Sequence, residues 1–233
     1  MRFARRFLPA ALVACGVATS TTAAQTARRA NDAPRVPDNR FRWGVGAQGG
    51  VLFFSTQRQT MSGIPAAGAH ISVVSRRGGV QLGVDEAFGS DEPTAFVDPT
   101  SGNIVREMQF DRIRRYGVML TGYPVRGTVE PYVGLGFGMI QVVDPRFDPN
   151  NVFTSNAQAA ESSAFARELS ASAFASLLGG LQFRVSGVAA FAQYQIHTAP
   201  RPGDLLRGTG QSIMGGIRIS FGSAREDVRG GGY

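Results

Sequence analysis

The 233-residue chain contains no lysine. Its 24 basic residues are all arginines and outnumber the 17 acidic ones, for a formal net charge of +7. The uniform use of arginine reads as a codon bias of the source genome. The functional alternative is phosphate binding, because the guanidinium fork grips phosphate through two donors. Cysteine occurs once, at Cys15, which excludes an intramolecular disulfide. There are two histidines and one tryptophan. Beyond the first 24 residues no apolar run reaches the roughly 18 residues of a membrane-spanning helix.

Glycine is abundant, with 30 residues, and hydrophobic residues make up 43% of the chain against 18% charged. The N-terminus has the layout of an export signal. Met1–Arg6 is basic, Phe7–Ala14 is apolar, and Thr22-Ala23-Ala24 offers a small-x-small cleavage site. Residues 1–24 are therefore expected to be a signal peptide. Leu12-Val13-Ala14-Cys15 also fits a lipidation box, so Cys15 is a competing processing point. Residues 25–40 are polar with two prolines and read as a disordered linker.

From Phe41 the dominant period is two. Phe41, Trp43, Val45, Ala47, Val51 and Phe53 share one face, and Arg42, Gly44, Gly46, Gln48 and Gly50 the other. The same alternation recurs through Ala67–Val73, Val80–Phe88, Arg115–Leu120, Glu130–Met139, Ala171–Arg184, Val188–His197 and Ser212–Gly222. In "ARELSASAFASLLGG" helical propensity competes. A strand is preferred, because Gly179-Gly180 weakens a helix interior and a tight turn follows.

Eight strands result. Their connections alternate between short turns (Arg76–Gly79, Tyr123–Thr128, Val185–Gly187) and long loops (Gln57–Pro65, Gly89–Glu107, Asp144–Leu169, Thr198–Gly208). The expected fold is all-β: an eight-stranded, antiparallel, up-and-down transmembrane β-barrel over residues 41–222, with a polar tail at 223–233. A lipocalin-like soluble barrel would put the apolar row inside. Here the row opposite the glycines, glutamines and arginines carries Trp43, Phe137, Tyr194 and Phe221. Eight strands enclose a narrow interior, which explains glycine on the inward phase.

Three stretches, "EPYVGLGFGMI", "FAQYQIH" and the terminal "GGIRISFG", resemble the small OmpA/OmpX-type, opacity-like bacterial outer-membrane barrels. The resemblance implies an outer-membrane location in a Gram-negative envelope. It also implies an assembly signal at Ile217, Ile219 and Phe221, read by the barrel-assembly machinery. The implied partners are outer-membrane lipid and lipopolysaccharide. The grouping contains adhesins, narrow channels and enzymes, so the role stays open. The expectation is a monomeric, non-enzymatic structural or surface-contact protein without cofactor, metal or nucleic-acid partner. A narrow porin-like channel is the alternative, and a lipid-modifying enzyme ranks third.

Arg42, Asp85, Arg115, Glu130, Arg184 and Arg218 fall on the inward phase and are expected to form a lumen charge network, with Glu130 the acidic partner of Arg184. Such a network either braces the barrel or gates a water path. Gly44–Gly49 matches G-x-G-x-x-G but lacks the following helix that a dinucleotide site needs. His197 ends a strand as in lipid A deacylases, yet no serine lies two residues on, and it reads with His70 as a lumen or rim histidine. Asp144–Asn151 reads as a polar turn rather than a calcium loop. Arg112, Arg114 and Arg115 are candidates to grip lipopolysaccharide phosphates, or to form a solvated rim.

Overall fold

A computed structural model describes residues 40–75 and 77–225. The readings of residues 1–24, of nearly all the linker and of the tail beyond 225 lie outside the described residues. The elements are β1 (Arg40–Thr56), β2 (Ser62–Val74), β3 (Gly78–Asp98), a 3-10 turn (Pro99–Ser101), β4 (Ile104–Gly122), β5 (Val129–Val143), β6 (Arg146–Phe147), α1 (Asn156–Glu168), β7 (Ala171–Val185), β8 (Val188–His197) and β9 (Leu206–Arg225).

Eight of these strands form a closed antiparallel barrel. Each long strand pairs with its sequence neighbour, β5 pairs with β7, and β1 pairs with β9. The two-residue β6 adds only to the edge of β4, beside Met108 and Gln109. Closure leaves no edge in the ring, so its backbone groups are satisfied without water.

Alternation sorts the side chains. Val45, Ile71, Leu82, Leu135, Phe137, Leu177, Ile217 and Ile219 stand exposed on the outer wall. Gln48, His70, Gln81, Gln182, Gln193, Gln195, Arg115 and Arg218 are buried inside. This is the reverse of a water-soluble barrel. The inward glycines make room for large partners: a Cβ on Gly46 would strike the His70 ring and the Ile217 carbonyl.

Towards the long-loop end the interior changes character. Leu52, Phe54, Phe110, Ile113, Phe174 and Met214 form an apolar core. The core continues past the ring through Phe96, Ala166 and Leu205. Near the short turns, Tyr132, Leu178 and Phe191 make a second, smaller cluster.

Three readings of the sequence are corrected. Gly89–Glu107 is not a loop: β3 and β4 stay paired up to Asp98 and Ile104, a long hairpin closed by the 3-10 turn. A bulge between Phe88 and Glu92, with Asp91 at φ 50°, breaks the period and hides the strand. The segment 144–169 contains β6 and α1. The helix takes the first three residues of "ARELSASAFASLLGG", Ala166–Glu168, and the strand begins at Ala171. Ser155 caps α1 by accepting from the Gln158 amide, while Gln158 reaches back to the Thr154 amide. Finally, the last strand runs on to Arg225, into the stretch read as a polar tail.

Candidate functional site

The lumen holds two polar layers. In the first, Asp85 and Arg115 are opposite one another on β3 and β4. Arg115 donates from Nη2 to Asp85 Oδ2 at 2.6 Å and from Nε at 3.1 Å. Its Nη1 reaches Ser212 Oγ at 3.3 Å and contacts His197 Nε2. Gln48 donates to the other Asp85 oxygen. Gln193 donates to Gln48 at 3.2 Å, and Tyr132 donates to Gln193 at 3.0 Å.

The second layer centres on Arg218, one of the most deeply buried side chains. Nε donates to His70 Nε2 at 3.1 Å, and Nη1 to Tyr123 Oη and Gln182 Oε1, each at 3.2 Å. Nη2 donates to Gln81 Oε1 at 2.9 Å. The guanidinium also lies 5.2 Å from the Phe191 ring centre, within cation–π range. Every partner named is neutral. The compensating carboxylate is reached through Gln182, whose amide donates to Glu130. Glu130 in turn binds Arg126 at 3.1 Å and Arg184 at 3.3 Å.

The structure thus brings Asp85 to Arg115, and Glu130 to Arg184. It places Arg218 in the middle of the lumen. It does not bring Arg42 into the network. Arg42 keeps the inward phase, opposite the buried Val74, but it stands near the start of β1 at the short-turn rim, where its side chain is exposed. Ile217, Ile219 and Phe221 stand on the outer wall.

Other candidates resolve locally. Gly44–Gly49 lies within β1 as straight strand and forms no phosphate cradle. His197 faces the lumen, packed 5.0 Å from the Phe174 ring. Ser176 is its cross-strand partner, but the Ser176 hydroxyl makes no hydrogen bond to it. Asp148 spends its carboxylate on its own turn and neighbour, accepting from Asn150 at 2.7 Å and Gln109 at 3.1 Å. Among the described residues no group of three or more His, Cys, Asp or Glu side chains is arranged to hold a metal. Arg112 binds Glu86 and Asp144, and Arg114 binds Glu86 at 2.9 Å, so both rim guanidinium groups are already engaged.

The sequence reading missed the amides that carry the network, Gln81 and Gln182, and the apolar core above it. The second had a signal. Val51-Leu52-Phe53-Phe54 and Met139-Ile140 are apolar on both phases, the mark of a strand covered on both faces.

No family model matches the chain, and no curated protein matches it. Several solved structures do resemble it. One is Neisserial surface protein A, at 12% identity and a TM-score of 0.49, covering 77% of this chain and 97% of that one. Another is the N-terminal β-barrel domain of Pseudomonas aeruginosa OprF, at 9% identity and a TM-score of 0.43, covering 76% and 97%. A third is the outer membrane enzyme PagL, at 11% identity and a TM-score of 0.37, covering 76% and 98%. At these identities and TM-scores the likeness adds nothing to the fold that the strand pairing itself shows. By its own strand pairing the chain is a closed, all-β, eight-stranded antiparallel barrel, the architecture expected from the resemblance of its sequence to the OmpA/OmpX-type barrels.

Proposed function

We propose that the chain is exported and inserted in the outer membrane as a sealed barrel, with a structural and surface-contact role and no enzymatic one. The exposed apolar wall supports the membrane: such side chains over a closed ring match what hydrocarbon requires. The seal carries the rest. Two arginine-centred layers fill the lumen between apolar clusters at both ends. The cavity beside Asp85, Arg115 and Gln193 measures about 30 Å3. That is space for a water or two, not for a solute. Against lipid hydrolysis, His197 is turned inward onto an arginine rather than towards lipid. Lipid is met by the apolar wall, and Ile217, Ile219 and Phe221 are displayed on it for the assembly machinery.

Planar-bilayer recording of the purified protein tests this reading. The expected result is no stepwise conductance. Regular channel openings would establish the narrow channel instead. Fractionation adds a second check: heat-modifiable protein is expected in the outer membrane, and soluble periplasmic protein would overturn the membrane reading. The mass of the mature N-terminus distinguishes cleavage after Ala24 from lipidation at Cys15.

A further inference from the structure

A cavity lies in the cap at the long-loop end. Its volume is about 380 Å3. That lies within the roughly 300–1,000 Å3 range of small-molecule sites. Four separate segments wall it: the β1–β2 loop, the β3–β4 hairpin, α1 and the loop before β9. The walls are fixed by packing. The Phe96 and Phe165 rings lie 5.9 Å apart, joining hairpin to helix. The fully buried Asp98 accepts from Ser162 of α1 and from Arg106 Nε at 3.2 Å.

The lining is apolar along most of its length and polar at one end. Val97 and Val105 are cross-strand partners, and each is more than half exposed. Both line the cavity, so its apolar wall is open to the outside on that side. At the polar end stand Gln57 and Arg58. Arg207, outside the lining, donates to Gln57 at 2.7 Å and holds that amide in place. Arg58 is paired with Glu107.

We infer that this cavity binds an anionic amphiphile of the medium-chain carboxylate class. The chain would lie along Val97, Val105 and Leu169, and the head would compete with Glu107 for Arg58. The position selects a ligand arriving from water rather than a bilayer lipid. Charged pairs at Glu86–Arg114 and Asp91–Arg146 stand on the same β3–β4 side of the barrel below it. From Glu92–Phe110 to Val97–Val105 the hairpin climbs five more register pairs, roughly 17 Å of strand. The inference stands apart from the sealed lumen, which it does not use.

The test is methyl NMR of the full barrel in amphipol, titrated with octanoate and, separately, with octan-1-ol. Octanoate is expected to shift the Val97, Val105 and Leu169 methyls saturably. Arg58→Gln is expected to weaken octanoate about three- to fivefold while leaving octan-1-ol unchanged, the size of an exposed ion pair. Glu107→Gln, which removes the competing carboxylate, is expected to tighten octanoate. Val97→Trp, which fills the cavity, is expected to abolish binding of both probes. Equal shifts at the outer-wall methyls of Leu135 and Ile217 would overturn the inference, because they report non-specific partitioning. So would octanoate binding unaltered by Arg58→Gln, an exposed change that spares folding. The same three methyls already shifted in plain phosphatidylcholine nanodiscs would assign the cavity to a bilayer lipid and overturn the water-borne ligand.

Discussion

Glu130 carries more than its own charge. It is the carboxylate for Arg126 and Arg184 directly, and for Arg218 through Gln182. Removing one partner of a buried pair typically costs about 3–5 kcal/mol, because the other charge is stranded. Glu130→Ala is therefore expected to lower the urea midpoint of the barrel, by less than that full amount where lumen water reaches the arginines. Glu130→Gln keeps the shape and is expected to lose less. Gly46 makes the opposite demand. Its inward Cβ would collide with His70 and with the Ile217 carbonyl 2.9 Å away. Gly46→Ala is expected to cost about 1–3 kcal/mol, as overpacking does, seen as a lower heat-modification temperature. These inward positions were legible from the period of two alone. Which side chain would meet which was not, because facing residues such as Arg218 and Gln81 are 137 positions apart in sequence. The alternation gave Arg42 its phase but not its depth: opposite the buried Val74 it stands at the rim and stays exposed, and a period of two does not say where a strand leaves the ring.

At the level of elements, the β3–β4 hairpin and α1 make the cap, and Asp98 ties them together. Its carboxylate accepts from Ser101, Ser162, Thr100 and Arg106. Burial works against the charged form, but the hydrogen bonds of Ser101, Ser162 and Thr100 outweigh it and hold the carboxyl well below its usual range. A depressed carboxyl stabilises above its unfolded pKa, and that share is lost as the pH falls through the folded one. The cap should accordingly hold its α1 contacts through the mildly acidic range and release them only in strong acid. Asp98→Asn is expected to raise amide exchange in α1 at neutral pH while β7 and β8 stay protected. Unchanged exchange in α1 would mean that the aromatic contacts alone hold the helix. This cap was the least legible part of the chain. Its segment 89–107 is rich in Asp, Pro and Ser, the residues of loops, and its strand character depends on pairing with a partner beyond a bulge. The helix did leave one sign, the Ser155-x-x-Gln158 spacing, in a stretch with few apolar residues to give it a face.

For the whole molecule, the ring itself was legible, because eight apolar rows and alternating turn lengths have few other solutions. Its two ends meet along β1 and β9, from Arg40–Arg225 to Thr56–Leu206. That pairing has a consequence for biosynthesis. The first strand to leave the ribosome waits for the last before it has both neighbours. Until then β1 would carry a row of unpaired backbone groups into hydrocarbon, each costing several kcal/mol. If the chain is the membrane barrel proposed above, unassisted strand-by-strand insertion is disfavoured, and it enters lipid either as a nearly finished ring or with the edge of β1 paired to the assembly machinery. A chain ending at Asp204 should be made and exported at the normal rate, yet be degraded before reaching the membrane, as pulse-chase labelling would show. Stable insertion of that truncated chain would mean that β1 and β8 can close on one another. The β1–β9 seam is thus the last pairing of the ring that can form, because it joins the two strands farthest apart in sequence.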